Sequence, residues 1–113
     1  MDKPRHRSTP WRRDAMGLIF PAEARAGVLS AVAGGETVSE AMERYGLPHE
    51  IAFGRARWDT EWRDQLYRAL MDGRDPSLEH GRARTYRGGC RCPECMATQS
   101  GCTAAQRFLQ TAG

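Results

Sequence analysis

Four cysteines, Cys90, Cys92, Cys95 and Cys102, crowd the carboxyl-terminal third of the chain. The run Cys90-x-Cys92-x-x-Cys95 delivers sulfurs from one tight turn, and Gly88 and Gly89 let the backbone fold close to whatever those sulfurs hold. A soft divalent ion, zinc above all, takes thiolates and imidazoles in a tetrahedron. The fourth ligand is open at this level. His80 stands upstream of the run and Cys102 downstream of it. The same sulfurs suit an iron–sulfur cluster, a disulfide pair, or a reduced knuckle without metal. Arg82, Arg84, Arg87 and Arg91 surround them, either as a solvated face or as a grip on nucleic acid. The amino end is basic but is followed by no apolar stretch and cleavage site, and no run of about eighteen apolar residues occurs. We therefore expect a reducing, cytoplasmic setting, in which clustered cysteines favour a structural zinc over disulfides.

The elements that must position this cluster are helical. Val28, Leu29 and Val32 predict a first helix that begins after Pro21 and runs to about Ala33, closed by Gly34 and Gly35. Thr37-Val38-Ser39-Glu40 is a capping box, opening a second helix through Ala41, Met42 and Tyr45 to Gly46. Leu47-Pro48 turns the chain into a third helix from about His49 to Trp58. Asp59 or Thr60 caps a fourth, in which Trp62, Leu66 and Leu70 share a face and Gly73 ends it. Arg74-Asp75-Pro76 reads as a linker, and Ala104 to Gln110 as a last short helix. The fold class expected is mostly α: a helix-turn-helix core of three or four helices with a small carboxyl-terminal cysteine-rich, knuckle-like segment. Residues 1–15 form a basic flexible arm, 16–73 the helix-turn-helix domain, and 74–113 the linker and cysteine-rich, zinc-binding segment in this reading. A core so small gains from a metal staple or a partner chain.

Charge follows this division. The net +3 of the 113 residues conceals five basic and two acidic side chains in residues 1–14, six and nine in 15–73, and six and three in 74–113. Any grip on phosphate therefore comes largely from the two ends. Of the 17 basic residues only Lys3 is not arginine, and arginine suits forked contacts to phosphates and guanine edges. Arg5, Arg7, Arg12 and Arg13 make residues 1–14 a candidate arm for phosphate or a minor groove.

A major-groove reader needs two short helices joined by a tight glycine turn, the second entering the groove and the first bracing it. Ala41, Gly46, Leu47 and Ile51 or Ala52 fill the positions where the two helices must cross. The stretch TVSEAMERYGLPHEIAFGRARWDTEW, Thr37 to Trp62, resembles the helix-turn-helix of phage small terminase subunits and of related phage and transposase proteins. Ala41, Gly46, Phe53, Arg55, Asp59 and Trp62 fall on that pattern. Met42 and Ala52 depart from it in opposite directions of volume, a swap that cores tolerate. Pro48 replaces the customary hydroxyl cap. Glu50 would repel phosphate, yet a carboxylate accepts from the cytosine amino group. His49, Glu50, Phe53, Arg55 and Arg57 are thus the candidate DNA-contacting residues of the third helix, with Arg87 a further one. Arg55 and Arg57, two apart, cannot face the same way.

The segment from His80 to Cys95, a histidine–glycine pair, Tyr86, then GCRCPEC, resembles a short module of small actinophage and actinobacterial proteins, often found beside a DNA-binding or nuclease domain. That resemblance implies His80, Cys90, Cys92 and Cys95 as ligands, with Cys102 outside the set.

Together these features imply a phage-encoded, sequence-selective binder of double-stranded DNA: a transcriptional regulator, an excision factor or a small-terminase-like packaging subunit. It would be a candidate homo-oligomer in the host cytoplasm, and the terminase resemblance implies a packaging ATPase as partner. The other class of reading is a module binding a phage or host protein through the same scaffold, with Trp58 and Trp62 at its interface. His6, His49 and His80 are scattered and no paired-carboxylate or histidine–asparagine motif is present, so no enzymatic activity is expected.

Overall fold

The computed structural model describes residues 18–112, and every regular element in them is helical. The expected amino-terminal arm lies outside the described residues. Helix α1 spans Ala22–Ala33, α2 Val38–Glu43, α3 His49–Ala56, α4 Thr60–Gly73, α5 Ala83–Arg87, α6 Pro93–Met96 and α7 Thr103–Ala112. None of them is long and apolar enough to cross a membrane.

Helix α1 buries Ala24, Val28 and Val32 at intervals of four and packs against the length of α4. Its last turn ends at Gly34, whose N–H reaches the carbonyls of Ser30 and Ala31. The two helices meet tightly at Gly73, where an added Cβ would stand 1.9 Å from the Val32 carbonyl oxygen. At the other end Phe20, fully buried, meets Trp62 edge to face at 5.2 Å between ring centres.

The capping box at α2 forms in full. Thr37 Oγ1 accepts from the Glu40 N–H at 3.1 Å, and the Glu40 carboxylate accepts from the Thr37 N–H at 2.9 Å. The regular helix stops at Glu43, three residues before the expected end, because Gly46 takes φ +70 and the Leu47 N–H reaches back to the Met42 carbonyl. That left-handed closure satisfies the end of α2 and sets the angle into α3. Met42 and Ala52 both have 0% exposure, so the large residue of α2 and the small one of α3 share one core.

Helix α3 ends at Ala56 rather than Trp58. The N–H groups of Arg57 and Trp58 bond three residues back, tightening the last turn before Asp59 extends to cap α4. Asp59 accepts from the Trp62 N–H at 3.1 Å, while the buried Trp62 indole donates to the Ala52 carbonyl at 2.9 Å. Trp62, 2% exposed, is therefore core and lies outside any interface.

Helices α5 and α6 are too short to leave a periodic signal. Met96, Ala105 and Phe108 belong to the same apolar core as α1 to α4, and Phe108 meets Tyr67 of α4 edge to face at 5.4 Å. The cysteine-rich segment is thus seated on α4.

Candidate metal centre and nucleic-acid face

Each ligand-type side chain is brought in by a local device. Helix α5 runs into Gly88 and Gly89, the latter at φ +117, and that reversal delivers Cys90. Cys92 is the residue before α6, which opens on Pro93, so φ of the first turn is preset. Cys95 follows three positions later and lies on the same side of that turn. His80 enters from the loop after α4, with Gly81 at φ +82 turning the chain away behind it.

These four residues converge. His80 Nδ1 lies 3.4 Å from Cys90 Sγ, 3.6 Å from Cys92 Sγ and 3.5 Å from Cys95 Sγ. All four ligand atoms fall within 4.8 Å of one another. A tetrahedral zinc with ordinary bond lengths holds a sulfur and a nitrogen about 3.5 Å apart, so the spacing fits that ion. Cys92 and Cys95 are buried and Cys90 and His80 half-buried. Cys102 stands apart from the group, near Tyr67, so the downstream candidate for fourth ligand gives way to His80.

The surroundings act on the ligands in distinct ways. His80 Nε2 lies 2.8 Å from the Asp75 carbonyl oxygen; it donates there, which leaves Nδ1 with its lone pair toward the sulfurs. Burial pushes the Cys90 thiol up to about 12, and its neighbouring thiols add to that. Burial also opposes the Cys92 thiolate. There it is outweighed by the Cys95 N–H, the Arg74 guanidinium and the hydrogen bonds of the other two thiols, so the Cys92 thiol is lowered. Arg74 Nη1 lies 3.5 Å from Cys92 Sγ and also pairs with Glu94. A tris-thiolate site around a divalent cation carries net negative charge, and Arg74 offsets it. Arg74 follows directly on α4, so the stretch read as a linker from sequence is tied to the knuckle.

Sequence reasoning missed Arg74, Asp75 and Glu94 as supports. No spacing rule marks a backbone carbonyl as a histidine's partner, and Arg74, sixteen residues before Cys90, carries no sequence signal that ties it to the sulfurs.

Of the α3 candidates, His49 and Glu50 are exposed, with His49 Nδ1 3.7 Å from the Glu50 carboxylate, and Phe53 is half-buried with its ring edge-on to His49. Arg57 is exposed and has no ion-pair partner among the described residues. Arg55 differs. Its side chain is 12% exposed, its Nη2 sits 2.8 Å from Asp59 and its guanidinium lies over the Trp58 ring at 4.9 Å. It holds the corner between α3 and α4. Arg87 is exposed; Arg82 and Arg84 share Glu79, and Arg91 stacks on Tyr86 at 3.8 Å. Arg5, Arg7, Arg12 and Arg13 lie outside the described residues.

The α3 face and the knuckle border one another. A cleft of about 610 Å³ between them is lined by Val38, His49, Phe53, Leu78, Cys90 and Arg91 among others.

No family model matches the chain, and no curated protein or solved structure matches it. The functional argument therefore rests on the geometry.

Proposed function

We propose that this protein is a phage-encoded, sequence-selective binder of double-stranded DNA whose carboxyl-terminal segment is ordered by one structural zinc. The supporting observation is the arrangement of α2, the Gly46 turn and α3. A capped bracing helix packs against a second short helix whose outer residues, Glu50 and Arg57 among them, are free to meet a groove. The tris-thiolate and imidazole set supports zinc over iron, because a mixed sulfur and nitrogen tetrahedron suits a redox-inert ion in a structural role. When bound, the ion fixes the knuckle. His80, Cys90, Cys92 and Cys95 hold it, and Arg74 balances the charge.

In this reading His49, Glu50, Phe53 and Arg57 face the major groove, while Arg87 and the amino-terminal arginines hold backbone phosphate. Arg55 serves by fixing the corner of α3. The biological task is regulation, excision or packaging. A homo-oligomer would multiply the contacts of a small acidic core, and packaging would bring a motor ATPase as partner.

One observation favours a second reading. The cleft between α3 and the knuckle has apolar walls at Val38, Phe53 and Leu78, which suits a peptide of another protein. Titration of the metal-loaded protein against random duplex and against fragments of the encoding genome, at two salt concentrations, separates the readings. Fragment selection that weakens steeply with salt supports DNA binding. A folded, zinc-loaded protein that holds no duplex at low salt removes that reading and leaves the peptide one.

A further inference from the structure

Gly54 sits in the middle of α3, where glycine is costly relative to alanine. Backbone conformation does not require it: the left-handed glycines among the described residues are Gly35, Gly46, Gly81, Gly89 and Gly101. Internal packing does not require it either. A Cβ at Gly54 meets nothing within 4 Å, whereas at Gly27 it would stand 1.9 Å from the Tyr45 hydroxyl. Ala52 and Ala56 of α3 are buried in the core. Helical spacing therefore turns Glu50, Gly54 and Arg57 together to the outside. The two charged residues are exposed, and Arg57 has no ion-pair partner among the described residues. On the Phe53 flank runs the cysteine segment with Arg91. The outer face of α3 is thus two exposed charges of opposite sign with the half-buried backbone of Gly54 between them.

We infer that Gly54 is the point where base-pair edges in a DNA major groove come against the backbone of α3, with Glu50 and Arg57 reading the pairs on either side. The inference rests on the DNA-binding reading above. A helix about 10 Å long from Glu50 to Arg57 spans roughly three base-pair steps. A carboxylate accepts from the cytosine amino group and a guanidinium donates to guanine O6 and N7. The recognised duplex therefore carries a cytosine and a guanine about three steps apart, and the pair between them leaves no room for a side chain at position 54.

The test is selection from a pool of randomised duplexes by the full-length, zinc-loaded protein, followed by titration of the selected duplex. The chains compared are wild type, Gly54→Ala, Gly54→Leu and Ser30→Leu, the last an apolar addition on the exposed side of α1. Both Gly54 variants melt at or above the wild-type temperature, because the space around the position is open and either residue favours the helix. Gly54→Leu nevertheless loses roughly tenfold to a hundredfold in duplex affinity, and Ser30→Leu stays within about twofold. Wild-type selection with Gly54→Leu binding as tightly as wild type overturns this inference and leaves the DNA reading standing. A Gly54→Leu chain that melts below wild type also overturns it, since the open space would be refuted. A wild-type chain that selects no duplex overturns the reading and the inference together.

Discussion

His80 donates a hydrogen bond from Nε2–H to the Asp75 carbonyl oxygen, 2.8 Å away, and so presents Nδ1 to three sulfurs, each within 3.6 Å of it. The tautomer is fixed by a backbone atom two residues beyond the end of α4, so no substitution of the Asp75 side chain removes it.

His80→Ala, Cys92→Ser and Cys95→Ser are expected to abolish stoichiometric zinc, and Cys102→Ser to retain about one ion per chain. Metal assay on the purified variants checks this. Because Met96 and Phe108 share the core of α1 to α4, the three ligand variants also lose about 10 °C or more in melting temperature. A Cys102→Ser chain without zinc would return Cys102 to the ligand set.

The pH dependence at the alkaline end differs with and without metal. In the metal-free chain burial lifts the Cys90 thiol from 9.0 to about 12. A raised value in the folded state means the fold holds that proton more tightly than the unfolded chain. Its contribution is complete below pH 9.0 and is lost as pH rises through about 12. Zinc needs thiolates, so acid competes with it and alkali does not. Below pH 9.0 the lowered Cys92 thiol makes the stripped protein gain stability with pH as the loaded one does, so melting curves recorded with and without zinc should part above pH 9.0, where the stripped protein loses stability through Cys90 and the loaded one does not.

Trp62→Phe keeps most of the volume and leaves the Ala52 carbonyl without its indole donor, at a cost of about 1–3 kcal/mol. Trp62→Ala adds a cavity beneath Phe20 and costs about 3–5 kcal/mol. Denaturant unfolding measures both. Equal stability of Trp62→Phe and wild type would refute the hydrogen bond.

Two glycines under comparable crowding should respond differently. At Gly73 an added methyl meets backbone, the Val32 carbonyl at 1.9 Å and the Gly35 nitrogen at 2.9 Å, so α1 and α4 must separate. At Gly27 it meets the end of the Tyr45 side chain, which is 44% exposed and can swing aside. Gly73→Ala is expected to cost more than about 2 kcal/mol, as overpacking does, and Gly27→Ala to be close to neutral or stabilising. Parallel denaturant titrations decide it.

Asp59→Ala removes two contacts at once, since one carboxylate oxygen caps Trp62 and the other holds Arg55. The cap alone is worth about 1 kcal/mol. The signature beyond stability is the Trp58 fluorescence, which should change as the Arg55 guanidinium leaves its ring.

The parts legible in the sequence were local ones. Thr37 and Glu40 announce α2 because both partners of the box lie within one turn, and Asp59 announces α4 for the same reason. Three of the four metal-type ligands were legible from their own spacing. Spacing alone left His80 and Cys102 open, and only the resemblance pointed to His80; the fold adds the physical reason, since the Gly89 reversal and the Gly81 turn bring the His80 segment back to the sulfurs. Arg55 was read as a DNA-contacting residue; its pairing with Asp59 was not legible, since helical spacing says which side a residue occupies but not that a cap residue has a second oxygen to spare. Helices α5 and α6 left no period to read, and the left-handed Gly46 ended α2 earlier than its apolar pattern did.

The edge-to-face contact of Tyr67 and Phe108 puts the last helix and the fourth in one packed unit, on the far side of the cysteines in sequence. Occupancy of the four-ligand site and the population of the folded helix-turn-helix are then linked quantities. Each rise in free zinc above the dissociation constant adds to the folding free energy of the whole unit logarithmically. If the proposed DNA reading holds, chelation would weaken duplex binding without touching a single residue that contacts the duplex.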